Sequence, residues 1–315
     1  MLNAMTLAAS DPAQHVYNHV FWRSADGWWL WTGNQGNLVL SALILILGGL
    51  WVSSKVKIGP ASQGTDRWVT TSRLAHMIEV ICVYLREEVV RPLLHDRTNK
   101  LMPFLWSIFF FILINNLLGL VPLLDILHSI QRIMWLATDG ASGEASPHTA
   151  FVGGTATQNI WVTGVLALVA ALVFNGAAVA RLGIGGYVKH LTADAPFFVW
   201  PLIVPIEFFG QVFIKPVALA VRLFANMTAG HILLATLFMF AGQVWGQKLI
   251  LQAPVTLVSV VGGMAVMFLE LFVAFLQAFV FMFLTTVFIS LMDHHEEHGH
   301  EHEHGHAPGH EHAHA

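Results

Sequence analysis

Two long apolar stretches near the C-terminus, 196–241 and 253–291, contain Glu207, Gln211, Lys215, Arg222, Asn226, His231, Glu270 and Gln277. The guanidinium of Arg222 cannot shed its proton to escape hydrocarbon, so it needs a carboxylate, a water-filled cavity or another chain beside it. Even lenient insertion scales put a charge at mid-membrane at about 2.5 to 3.5 kcal/mol, which makes such a residue a functional-site candidate. Carboxylates and an imidazole, with ordinary pKa values near about 4 and 6.5, are groups that can take up and release protons between two aqueous faces. A permanent cation among them is what a proton path must go around. The chemistry these residues suggest is therefore ion translocation.

Spacing supports a shared face. Glu207, Gln211 and Lys215 follow one another at intervals of four, and Arg222 and Asn226 continue the stripe at +7 and +4. Ala218, Ala225 and Ala229 lie near that stripe and would let another helix come close. Glu270 and Gln277, seven apart, share a face of the next apolar block. The alternative is a salt-bridge and hydrogen-bond network that only fixes helix packing. For Gln211, Lys215 and Gln277 taken singly that alternative stays open, since Lys snorkels and Gln is ordinary packing glue. Arg222 together with Glu207, His231 and Glu270 is better explained by ion movement.

The elements that must hold these groups are membrane helices. The chain is 56% hydrophobic and 11% charged, with mean hydropathy +0.64, against about 25% charged in an ordinary soluble domain. The predicted fold is all-α and polytopic, with about five membrane helices and one interfacial amphipathic helix. The first span is expected over 37–52, behind interfacial Trp28, Trp29 and Trp31. Residues 66–94 mix Leu74, Ile78 and Val89 with Arg67, Arg73, Glu79 and Arg86, the pattern of a helix lying in the interface. Further spans are expected over 103–124 and 160–180, with a polar loop at 125–158. At 1.5 Å per residue, the blocks 196–241 and 253–291 would reach roughly 69 and 57 Å against a hydrocarbon core of about 30 Å. Each must be broken in two or strongly tilted, and hydropathy does not decide which.

Positive charge sets the sidedness. Lys55, Lys57, Arg67, Arg73, Arg86, Arg91, Arg97 and Lys100 all fall between the first and second spans, and Arg181 and Lys189 follow the third. By the positive-inside rule these segments are cytoplasmic, with the N-terminus outside and the C-terminus inside. Residues 1–20 have no basic leader region, so a cleaved presequence is not expected. Three segments result: an outer N-terminal piece at 1–36, a membrane domain at 37–292 and a His/Glu-rich tail at 293–315. The lone Cys82 leaves no disulfide framework or cysteine metal cluster. Net charge is −4, but six acidic residues of the tail account for it, and the body is about +2. Neither value suggests nucleic acid.

The segment Lys215-Pro-Val-Ala-Leu-Ala-Val-Arg222-Leu-Phe-Ala-Asn226-Met-Thr-Ala-Gly-His231 closely resembles the signature of subunit a of F-type ATP synthases. Asn116-Leu-Leu-Gly-Leu-Val-Pro122 and Leu276-Gln277-Ala-Phe-Val-Phe-Met-Phe-Leu-Thr285 agree with it, and the resemblance covers about residues 35–292. It implies a non-catalytic stator subunit forming two proton half-channels. Arg222 matches the arginine that faces the carboxylate on each subunit of the rotating c-ring. Asn226 and Gln277 match polar residues flanking it. His231 and Glu270 match two half-channel positions, here in the His-then-Glu order. Glu207 resembles an upstream acid on the arginine helix, but it stands one residue farther from the Lys-Pro pair than in some members. Gln211, Lys215 and Asn116 are secondary polar candidates. The resemblance also implies that the last two helices are long and tilted, forming a hairpin against the ring. Its partners would be the c-ring, b-type peripheral stalk subunits, the bilayer and, indirectly, the catalytic head.

No Gly-x-x-x-x-Gly-Lys-Ser/Thr loop occurs, so nucleotide chemistry would belong to partner subunits, and no cofactor is expected. The coupling ion, H⁺ or Na⁺, depends on the c-ring carboxylate. The absent presequence points to a bacterial plasma membrane. The tail interleaves ten imidazoles with carboxylates, and His294, His295, His298 and His300 are candidate weak metal ligands. A solvated, disordered tail whose charge changes between about pH 5 and 8 is the plainer reading. The tail also feeds a rival function, a divalent-metal transporter, for which His190-Leu-Thr-Ala-Asp194 has ligand-like spacing. That pair falls in a polar connection before Pro196, and a cation at Arg222 would repel a metal ion.

Overall fold

The structure, a computed structural model, describes residues 20–23, 29–56, 70, 72–121, 156–192, 196–244 and 249–293. A short antiparallel hairpin opens it, β1 (Val20–Arg23) against β2 (Trp29–Thr32), a small departure from the all-α expectation. Helix α1 runs over Gly33–Lys55 and so begins before residue 37. The reason is local: the Thr32 hydroxyl accepts from the Gln35 backbone N–H, and the Gln35 side chain accepts from the Thr32 N–H. This reciprocal capping box fixes the helix start.

Helix α2 (Arg73–Tyr84) continues through a wide π-turn, Leu85–Val90, into the short α3 (Arg91–Leu94). It starts later than residue 66, with Thr70 and Ser72 outside the helix. Its Leu74, Met77, Val80 and Val83 are exposed, as an interfacial helix requires, while Leu85, Val89, Val90 and Leu94 turn inward. At His95 the backbone takes φ 43°, a left-handed conformation uncommon for a side-chain-bearing residue, and this separates α3 from α4 (Thr98–Leu120). Helix α5 spans Ile160–Leu191 with a break at Gly183, where φ is 68°. The helix thus passes residue 180, and Arg181 lies within it.

The two long apolar blocks are not broken. Helix α6 (Trp200–Phe209) passes through a second π-turn, Gly210–Ile214, directly into α7 (Lys215–Gln243). Together they form one helix of 44 residues, about 66 Å at 1.5 Å per residue. Helix α8 is unbroken over the 45 residues Leu249–Asp293. Both are about twice as long as a perpendicular crossing needs.

Both π-turns end two residues before a proline, just ahead of Arg91-Pro92 and Lys215-Pro216. A proline ring collides with the carbonyl four residues earlier and offers it no N–H. Widening the preceding turn moves that carbonyl aside, and the N–H groups of Arg91 and Lys215 bond five residues back, to Arg86 and Gly210. Proline at 216 therefore widens the helix where a break was one expectation.

Helix α8 packs on α4, α5 and α7, and α1 packs mainly on α4. The core is centred on Phe109, Ile112, Phe174, Leu223, Phe281 and Met282. Edge-on ring contacts tie α4 to α8 through Phe109 and Phe275 at 5.7 Å, and α5 to α8 through Phe174 and Phe288 at 5.6 Å. Buried Ala167, Ala170, Ala171 and Ala178 let α5 lie close to its neighbours. Five helices are long and apolar enough to cross a membrane, among the described residues. Residues 122–155, which hold most of the expected polar loop 125–158, lie outside the described residues, as do Asp194, the side chain of His190 and the tail from 294.

Candidate ion-translocation site

Helices α7 and α8 run antiparallel, with Gly230 beside Glu270, Lys215 beside Phe288, and Gly263 beside Phe238. This pairing sets Arg222 level with Gln277. The inward face of α7 carries Leu219, Ala220, Leu223 and Met227. Arg222 is exposed on the other side, on a strip that also exposes Val217, Ala218, Val221, Ala225 and Ala229. Among the described residues Arg222 has no ion-pair partner, and Asn226, half-buried, has no hydrogen bond. A fixed cation thus stands on an exposed, small-residue face with no anion beside it among the described residues.

His231 is held from three sides. Its Nε2 lies 3.0 Å from the Gly119 carbonyl oxygen at the end of α4, and its Nδ1 lies 3.0 Å from the Met227 carbonyl oxygen and 3.4 Å from Glu270 Oε1. Glu270 is buried on α8 and packs against Gly230, where a Cβ would meet the carboxyl Cδ at 2.9 Å. Glycine at 230 therefore makes room for the carboxylate. On the same buried face of α8, Ala274 O accepts a hydrogen bond from Asn116 Nδ2 at 3.4 Å, and Gln277 follows one turn later. Asn116 is fully buried, and its Oδ1, Gln277 Nε2 and Glu270 Oε1 have no hydrogen-bond partner. Buried polar atoms left open in this way are places for ordered water.

A second group lies at the other end of α7. Gln211 Nε2 donates to Glu207 Oε1 at 3.0 Å, and Lys215 Nζ donates to Gln211 Oε1 at 2.6 Å. Lys215 also sits over the Phe288 ring, 5.1 Å from its centroid. The four-residue spacing thus becomes a hydrogen-bonded ladder, and the π-turn at 210–214 lies within it. The break at Gly183 folds Tyr187 back so that its hydroxyl donates to Asn175 Oδ1 at 2.8 Å.

The structure therefore joins His231 to Glu270, and Glu207 to Gln211 and Lys215, while Arg222 and Asn226 stand apart from both groups. Sequence reasoning missed Gln158, whose Nε2 reaches Met227 O at 3.4 Å, and the backbone oxygens of Gly119 and Met227. Gln158 sits in a single 3-10 turn, Ala156–Gln158, and nothing in its spacing marks it. The candidate ligands His294, His295, His298 and His300 lie outside the described residues, and no group of three metal-binding side chains occurs among those described.

Long apolar helices and buried ionisable side chains define an integral membrane protein of the polytopic helical class. The ATP synthase A chain family profile matches residues 38–290, and the chain belongs to that family. It is similar to the ATP synthase subunit a of Chloroherpeton thalassium, with 40% identity over 226 residues, covering 72% of this chain and 57% of the relative. The ATP synthase subunit a of Myxococcus xanthus is 35% identical over 267 residues, 83% of this chain and 72% of the relative. That of Pelodictyon phaeoclathratiforme is 38% identical over 262 residues, 82% and 64% of the two chains. The matched stretch thus spans less than two thirds of the first of these relatives. Family membership leaves the metal-transporter reading without support.

Proposed function

We propose that the chain is the non-catalytic stator subunit of the Fo sector of an F-type ATP synthase, forming two proton half-channels and coupling ion flow to rotation of a c-ring. The observation that carries this is the exposed Arg222, without an ion-pair partner among the described residues, on a face flanked by Ala218, Ala225 and Ala229. A passing c-ring carboxylate would supply the anion, and the small residues would let the ring's helices approach. A proton entering from the outer side would reach the ring carboxylate by way of His231 and Glu270. Once neutral, that carboxyl group can face lipid as the ring turns. On its return it would release the proton toward the ladder Glu207–Gln211–Lys215. Arg222, level with Gln277 and between the two groups, would stabilise the ionised carboxylate and repel protons that would otherwise leak straight across.

In this reading the N-terminus lies outside and the tail inside, in a bacterial plasma membrane, with b-type stalk subunits and the catalytic head completing the complex. Residues 37–292 act as the membrane domain, and the tail from 293 as a solvated appendage. The lengths of α6–α7 and α8 favour strong tilting against the ring, as two helices of about 66 Å in a core of about 30 Å require. Replacing Arg222 with alanine should abolish coupled ATP synthesis in sealed vesicles. Synthesis at the wild-type rate in that variant would overturn the assignment.

A further inference from the structure

Tyr187 is a buried titratable side chain that the path described above leaves unused. Its hydroxyl meets Asn175, twelve residues earlier in the same helix, a separation that would be about 18 Å along an unbroken helix. The turn at Gly183 brings the two together, with Tyr187 and Leu191 buried in the returned segment and Ile184 exposed. The pair lies beside the ladder. Helix α5 packs on α6 and on the wide turn Gly210–Ile214. Phe174, the neighbour of Asn175, touches the Phe288 ring that carries Lys215, and among the described residues Glu207 is the charged group that acts on Tyr187.

The direction of the hydrogen bonds is fixed. A backbone carbonyl can only accept, so the Asn175 amide turns its Nδ2 to Ala171 O at 2.9 Å and offers Oδ1 to the hydroxyl at 2.8 Å. A phenol has one hydrogen, and Asn175 takes it. Toward Glu207 the Tyr187 oxygen therefore has lone pairs only. It can accept from a protonated carboxyl or from a water, but it cannot donate to the carboxylate left behind. Gln211 supplies the donor that the ionised carboxylate needs. The two protonation states of Glu207 thus find their partners on different residues.

We propose that Tyr187 is the acceptor through which Glu207 hands on its proton toward the inner side, and that Asn175 is the positioning residue that keeps the hydroxyl an acceptor. This rests on the ion-translocating reading above and adds two residues of α5, outside the arginine signature, to its release half. The protonated Glu207 gives its proton to a water that donates to the Tyr187 oxygen. The carboxylate keeps its bond from Gln211, and Tyr187 neither gains nor loses a proton.

The test uses the assembled ATP synthase in sealed vesicles at matched complex abundance. Tyr187→Phe keeps the ring and removes the oxygen, and proton conduction is expected to fall about three- to fivefold, the size of one neutral hydrogen bond lost from the step. Asn175→Leu leaves Tyr187 whole but frees its hydrogen for the carboxylate, and the same loss is expected. Asn175→Asp keeps the accepting oxygen and gives up the bond to Ala171, so it should recover most of what Asn175→Leu loses. A role in packing alone would follow the Ala171 bond and show no recovery. In a Glu207→Gln background Tyr187→Phe should cost nothing further, because both changes act on one step. Unchanged conduction in Tyr187→Phe, no recovery in Asn175→Asp, or equal losses from Tyr187→Phe in both backgrounds overturns the proposal. Arg222→Ala run in parallel separates the two failures: lost coupling there with full conduction in Tyr187→Phe removes the tyrosine alone, whereas retained coupling removes the ion-translocating reading itself.

Discussion

The group around His231 and Glu270 and the ladder from Glu207 to Lys215 both place ionisable side chains within long apolar helices, yet they are assembled differently. The first draws on α4, α7, α8 and the turn at Ala156–Gln158, and its contacts join residues as far apart as Gly119 and His231. Several of its buried polar atoms have no protein partner. The second is a run of i,i+4 contacts on one helix, bonded from end to end, with Gln211 buried and Glu207 and Lys215 half-buried. The contrast teaches that the first group is held by tertiary packing around space for water, so each member is hard to replace. The ladder's hydrogen bonds are local, and solvent can stand in for a bond lost at either of its half-buried ends.

Three changes should break or sharpen that contrast. The largest effect is expected from Glu270→Gln, which keeps the shape beside Gly230 but removes the only carboxylate found at His231 among the described residues. Proton conduction and ATP synthesis should fall by about 100-fold or more, measured in sealed vesicles at matched complex abundance. Activity above one tenth of wild type would make the two groups equivalent. A smaller loss, about two- to threefold in the same assay, is expected from Lys215→Met, because Gln211 keeps its bond to Glu207. A loss as deep as that of Glu270→Gln would show that the ladder is not replaceable by solvent. The least effect on transport is expected from Gly183→Ala, since Gly183 lies in neither group. Its φ of 68° with ψ of 173° is a conformation that glycine alone adopts freely and that costs another residue on the order of 1 to 3 kcal/mol, so the variant should melt several degrees lower in detergent while conduction persists.

The same contrast explains what could be read from the chain. Intervals of four and seven gave the ladder and the shared face of Glu270 and Gln277, because helical spacing is a local property. The five spans were equally legible from hydropathy. The start of α1 was available in Thr32-Gly-Asn-Gln35 but was outweighed by the apolar run further on. Gln158 meeting Met227, Gly119 meeting His231 and Asn116 meeting Ala274 depend on which helices pack together, and no spacing encodes that. Proline pointed to the right place in the last long blocks, but it left breakage and continuity open. The wide turn settles the point for Pro216.

That wide turn has a consequence for the history of the sequence. A π-turn holds one more residue than the α-turn it replaces, so it can take up a single-residue insertion without disturbing the helix on either side. The resemblance read from the sequence puts Glu207 one residue farther from Lys215-Pro216 than the acid of some members, and the wide turn Gly210–Ile214 lies between them. Across the wide turn Glu207 stays in line with Gln211 and Lys215. A spacing counted in turns therefore keeps Glu207 with the ladder, where a spacing counted in residues sets it apart.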